Sequence, residues 1–152
     1  MRIEPYYTSA EMCHPNYKLS LQSKPENILL IESFVDKLCT QHAMTDEQHF
    51  NLLLVLTEAV NNAIIHGNQS DPNKMVHVLV MEQQNSFVLY VEDEGKGFNP
   101  QCVPDPTSPQ YKELPNGRGL YLIRQLAEEV HYHNNGKQVE IHFELNPQNL
   151  SA

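Results

Sequence analysis

Three short segments in a fixed order constrain this chain more than its composition does. They are Glu58-Ala59-Val60-Asn61-Asn62-Ala63-Ile64-Ile65-His66-Gly67, Asp93-Glu94-Gly95-Lys96-Gly97 and Gly117-Arg118-Gly119-Leu120. The first lies in a run with helical periodicity, the second closes a strand pattern, and the third opens another helix. A fold that uses all three must bring a helix end, a strand end and a helix start to one place.

The residues between them supply such a fold. Tyr17, Leu19 and Leu21 alternate with Lys18, Ser20 and Gln22, the period of a half-buried strand. Ser23-Lys24-Pro25-Glu26 reads as a capping box, and Ile28, Ile31, Val35 and Leu38 predict a helix over about 25–41. Thr45-Asp46-Glu47-Gln48 reads as a second box. It opens a helix carrying Phe50, Leu53, Leu54, Leu56, Val60 and Ile64 as far as Gly67. Residues 75–83 and 87–93 form a predicted antiparallel hairpin, with Phe87, Leu89, Val91 and Asp93 on one face.

Residues 98–116 carry five prolines and no period, as a functional lid or a mobile segment would. Leu120, Ile123, Leu126, Ala127 and Val130 then mark a helical stripe, and Asn135-Gly136 predicts a two-residue turn between 130–134 and 137–144. The expected architecture is an α+β two-layer sandwich, a mixed, mostly antiparallel sheet with three helices on one face, built as one domain over residues 1–152 with its core at about 18–145.

A chain of 152 residues buries roughly two-thirds of its unfolded surface without disulfides or metal. The net charge of -9, with 19 acids against 10 lysines and arginines, argues against direct nucleic-acid binding, which needs a basic face. A nucleotide is still admissible, because backbone N–H groups, a helix N-terminus and Mg²⁺ hold phosphates without a basic surface. Cys13, Cys39 and Cys102 are odd in number and far apart, which suggests neither a disulfide framework nor a zinc knuckle. No stretch approaches 18 apolar residues and the N-terminus lacks a signal-peptide core, so a soluble, cytoplasmic protein away from the membrane is expected.

Each motif carries chemistry. Glu58 and Asn62 are four apart, hence neighbours on one helix face, with His66 continuing the line. An amide oxygen suits Mg²⁺, and a carboxylate beside it can take a proton from a hydroxyl. The competing reading is a solvated polar stripe. Asp93 ends an apolar strand, where a carboxylate needs a donor such as an adenine amine, and Gly95 and Gly97 let a base approach the backbone; the competing reading is an acidic turn. Gly117, Arg118, Gly119 and Leu120 offer free N–H groups at a helix start, where an anion is favoured. Lys96 and Lys112 are further candidates for phosphate contacts.

The three motifs together resemble the N-box, G1 box and G2 box of the GHKL ATPase superfamily, and within it the anti-sigma-factor serine kinases of the RsbW-like family. The resemblance spans about residues 18–145 and implies the Bergerat fold with ATP and Mg²⁺. It implies that Asn62 ligates Mg²⁺ and that Asp93 binds the adenine amine, with Gly95 and Gly97 shaping the base pocket. His66 belongs to the same ATP helix. Gly117, Arg118, Gly119 and Leu120 would cradle phosphates under the 98–116 lid. Glu58 would be the general base that activates a serine hydroxyl. One departure concerns the final hairpin, where many members carry a Thr or Ser supporting the adenine-binding Asp; Gly136-Lys137-Gln138-Val139 has no hydroxyl, and Gln138 is the residue available instead.

The resemblance further implies a partner-switching kinase that sequesters a sigma factor or phosphorylates a STAS-domain anti-anti-sigma protein, and it is compatible with a homodimer. Two rivals stay open, an ATP-gated binding module without catalysis and a simple ATPase. The histidines of the last hairpin invite a metal. The turn register sets His131 opposite Glu140 and His133 opposite Gln138, with His142 on the same face, and the expectation is a polar ladder on an exposed sheet face rather than a structural metal site.

Overall fold

Alternating side chains lay down the sheet and 3.6-residue stripes the helices that cover it. The computed structural model describes residues 15–97 and 117–145. The expected lid at 98–116 falls outside these residues, as do Lys112, Cys13 and Cys102.

Strands β1 (Tyr17–Gln22), β2 (Met75–Gln83), β3 (Ser86–Glu92), β4 (Glu129–His133) and β5 (Gln138–Glu144) form one sheet in the order β1-β2-β3-β5-β4. Every pairing between these described strands is antiparallel. Helices α1 (Leu29–His42), α2 (Asp46–Asn62) and α3 (Gly117–Leu126) cover one face. This is the α+β sandwich expected.

The core is where the two periods meet. Ile31, Val35 and Leu38 of α1 and Leu52, Val55, Leu56 and Val60 of α2 are fully buried against Val76, Val78, Val80, Phe87 and Leu89 of the sheet. Burial of one such side chain contributes about 1.5–3 kcal/mol. The stripe on α2 differs from the expected one at its start: Phe50 is 64% exposed, and Leu52 takes the inward position. Val130 likewise belongs to β4 and not to the α3 stripe, because the helix ends at Leu126. Cys39 packs beside this core, where burial, and then the Asp36 charge, push its thiol up to about 11. It stays protonated and acts as a packing group.

Local signals explain the helix starts unequally. At Thr45 the capping box is complete: the hydroxyl accepts from Gln48 N–H at 3.1 Å, and Gln48 Oε1 accepts from Thr45 N–H at 2.9 Å. The box expected at Ser23 does not form. The chain first makes a 3₁₀ turn over Pro25–Ile28 with Lys24 as its N-cap, and the buried Ser23 hydroxyl, one residue too early, instead donates to the Lys74 carbonyl at 2.8 Å. Packing of the chain crossing from β1 overrides the cap.

Both hairpins have the predicted turns. Gln83 pairs with Ser86 around Gln84-Asn85, and Asn135 and Gly136 turn with φ of 57° and 84°, as a tight hairpin requires, with Asn134 before them also left-handed at 54°. His131 therefore lies opposite Glu140, and His133 opposite Gln138, as the register predicts. The face they occupy is not an exposed ladder, however. Met81, Val88 and Tyr90 form a second buried cluster there, Glu140 is fully buried, and His142 is 8% exposed. Among the described residues no helix is long and apolar enough to cross a membrane.

Candidate functional site

The three motifs meet at the end of α2. After Asn62 the helix widens into a π turn, Ala63–Gly67, which ends on Asn68 with Asn68 N–H donating to the Ala63 carbonyl at 2.8 Å. Such turns are uncommon and cluster at functional sites. Here the turn swings Gly67 against the end of β3, so close that a Cβ on Gly67 would collide with the Asp93 carboxylate. A Cβ on Gly95 would collide with the Gly67 carbonyl. The first and second motifs touch because both positions are glycine.

The third motif closes the arrangement from the other side. A Cβ on Gly119 would run into the Glu58 carboxylate and lie 3.6 Å from Asn62 Nδ2, so α3 crosses α2 directly over the Glu58/Asn62 face. Glu58 and Asn62 are both half-buried. Gly97 stands at φ 79° and approaches the Asn135 carbonyl, which joins the glycine turn to the last hairpin.

Asp93 is held by backbone. Its N–H donates to the Lys137 carbonyl at 2.9 Å, and its Oδ1 accepts from Gly95 N–H at 2.8 Å. Burial pushes its carboxyl above the ordinary value of 3.8; the Gly95 N–H and the charges of Lys137 and Lys74 pull it back only in part, while Glu92 adds to the rise. The net result is an acceptor short of donors. Gln138 does not supply one: it pairs with Glu92, on the sheet face opposite Asp93, so it cannot replace the missing hydroxyl.

Other expected residues stand apart from the cluster. His66 and Lys96 are exposed, and Leu120 is partly buried against the core. The backbone of Gly117 and Arg118 forms the first turn of α3, and their side chains fall outside the described set.

One residue escaped the sequence reading. Asn68 is 1% exposed and ties three strand ends together. Its Nδ2 donates to Ser23 Oγ at 2.7 Å and to the Met75 carbonyl at 3.0 Å, and its Oδ1 accepts from Glu94 N–H at 2.8 Å. Met75 N–H in turn donates to the Glu94 carboxylate. The only hint was a polar residue directly after Gly67, and its partners are too distant in sequence to be read.

A helix end bearing Glu and Asn, a strand end bearing Asp and a glycine-led helix thus converge at one place on an α+β sandwich. The profile of the histidine kinase-like ATPase domain matches residues 21–143, and the chain belongs to that family. It is similar to the anti-sigma F factor of Halalkalibacterium halodurans, 30% identical over 76% of this chain and 79% of the relative. It is also similar to that of Shouchella clausii, at 27% over 74% and 78%, and to that of Anoxybacillus flavithermus, at 32% over 57% and 63%.

Asn68→Ala leaves the Met75 carbonyl and Glu94 N–H without their partner, and is expected to cost about 2–3 kcal/mol in urea unfolding; a loss below roughly 0.5 kcal/mol would mean that water replaces the amide. Asp93 has the opposite sign. A carboxyl whose folded pKa is raised stabilises fully below its unfolded value of 3.8 and loses that contribution as pH climbs through the folded value. Asp93→Asn, which keeps an oxygen for Gly95 N–H, is therefore expected to melt above the parent at pH 7, by a margin that shrinks towards pH 4. A variant melting below the parent at pH 7 would show that the charged hydrogen bond outweighs burial.

Proposed function

We propose that the chain is a cytoplasmic, ATP-dependent serine protein kinase and anti-sigma factor, which phosphorylates a STAS-domain anti-anti-sigma protein in a partner switch. The observation that carries this reading is the seating of Gly119 on Glu58 and Asn62, which sets a helix N-terminus beside a carboxylate and an amide. Family membership supports the nucleotide, and the similarity to anti-sigma F factors supports a sigma factor as one partner.

The donor set fits the nucleotide. Asp93 is a half-buried acceptor short of donors, which an adenine amine satisfies. Asn62 supplies an oxygen of the kind that Mg²⁺ takes, and the first turn of α3 presents N–H groups suited to phosphate. Mg·ATP, when bound, supplies the phosphoryl group and the charge neutralisation. Glu58 accepts the proton of a partner's serine hydroxyl as its oxygen bonds to the terminal phosphorus and the bond from that phosphorus to ADP breaks. The close contact of α3 with α2 keeps Glu58 in place.

Glu58→Gln preserves the shape against Gly119 and is expected to slow transfer to a STAS-domain acceptor by about 10²–10⁴. ATP affinity by calorimetry should stay within a few fold. Undiminished phosphoserine in the variant, read by mass spectrometry, would remove Glu58 as the base. Partner binding by the parent chain with no phosphoserine would point to an ATP-gated binding module, and phosphate release without acceptor to a simple ATPase.

A further inference from the structure

The face of the β4/β5 hairpin opposite α1, α2 and α3 gathers three imidazoles and two carboxylates that the nucleotide site does not use. Glu129, His131 and His133 alternate along β4, while Glu140 and His142 alternate along β5, and the register sets Glu129 against His142 and His131 against Glu140. Glu129, His131 and His142 each bring one ligand atom within 4.8 Å of the other two. The His131 and His142 rings meet edge to face with centroids 5.9 Å apart.

We propose that Glu129, His131 and His142 bind one divalent transition-metal ion, Zn²⁺ first among them, on the sheet face opposite the nucleotide site. Two imidazole nitrogens and one carboxylate oxygen make a donor set that zinc accepts with water in the fourth position. The spacing suits it. His131 Nε2 and Glu129 Oε2 share a hydrogen bond at 3.0 Å, and an ion taking the place of that proton would hold the two atoms at roughly 3.3 Å, each about 2.0–2.1 Å from one tetrahedral zinc.

A second layer is already built. Glu140, fully buried, accepts from His142 Nε2 at 2.7 Å and from His133 Nε2 at 3.0 Å. A carboxylate accepts from the ring N–H it meets, so Glu140 orients the His142 ring beside the other two donors. A buried carboxylate that fixes the tautomer of a ligating histidine is the usual support of a metal site. Exposure falls in the order an entering ion needs: the Glu129 side chain is 45% exposed, His131 28% and His142 11%. The site opens at the edge strand β4 and deepens towards β5.

The test is titration of chelator-stripped protein with Zn²⁺ by calorimetry, and with Co²⁺ by visible absorption, beside His131→Gln, Glu129→Gln and the control His77→Gln. His77 bonds Ser20 on another strand pair and takes no part in the cluster. One equivalent of Zn²⁺ bound at micromolar or tighter dissociation constant is expected, with the strong visible bands of tetrahedral Co²⁺. Affinity should fall at least about tenfold in His131→Gln and Glu129→Gln and stay unchanged in His77→Gln; a unit pKd is about 1.4 kcal/mol. Zinc should also raise the melting temperature of the parent and not of His131→Gln. Absence of stoichiometric binding, or binding equal in the parent and the first two variants, would overturn the site and leave a hydrogen-bonded histidine cluster.

Discussion

The arrangement depends on a buried amide more than on any carboxylate. Asn68 lies where the helix layer hands the chain back to the sheet, and it is bonded to Ser23 beyond β1, to Met75 at the start of β2 and to Glu94 beyond β3. Three strand ends and one helix end are thereby set relative to one another. An apolar residue would leave two backbone groups unmatched there, and a charged one would be buried without a counter-ion. The π turn before it has the same consequence by another route, since an ordinary α turn would rotate Gly67 away from Asp93.

Close approach then explains the glycines. Gly67, Gly95 and Gly119 sit where another segment of this chain already fills the place of a Cβ, and those segments are the other two motifs. The glycines are thus first of all what lets the motifs touch. The acidic groups feel the result. Asp93 is enclosed by backbone on two sides, and burial outweighs the pull of Gly95 N–H and the two lysines on its carboxyl.

The parts of this structure legible in the sequence are those set by neighbours along the chain. The Thr45-Gln48 cap, the two hairpin turns and the strand alternation each depend on residues within a few positions. The meeting of the three motifs was legible as a set because each combines a turn with a polar group at a helix or strand end. What failed was decided at long range. Ser23 carries the cap signature but is recruited by Lys74 and Asn68 across the sheet. Phe50 fits the apolar period yet lies beyond the edge of what α1 and the sheet cover. Gln138 is adjacent to the right place in sequence and faces the wrong side. Burial of Glu140 has no local signature, since the same alternation describes a solvated face and a covered one.

The β4/β5 hairpin links the two faces. On β5, Ile141 and Phe143 enter the helix-side core, Glu140 and His142 join Glu129, His131 and His133 of β4 in the histidine and glutamate cluster, and the backbone at Lys137 holds Asp93. A slip of one residue would drive Glu140 and His142 into the apolar core, where neither has a partner. Burying the Glu140 side chain is tolerable only in the register that gives it both His133 and His142. The polar cluster therefore excludes the alternative pairings that a purely apolar strand would permit, and through that exclusion fixes where the Lys137 carbonyl meets Asp93. The position of the carboxylate on one face of the sheet is set in part by hydrogen bonds on the other.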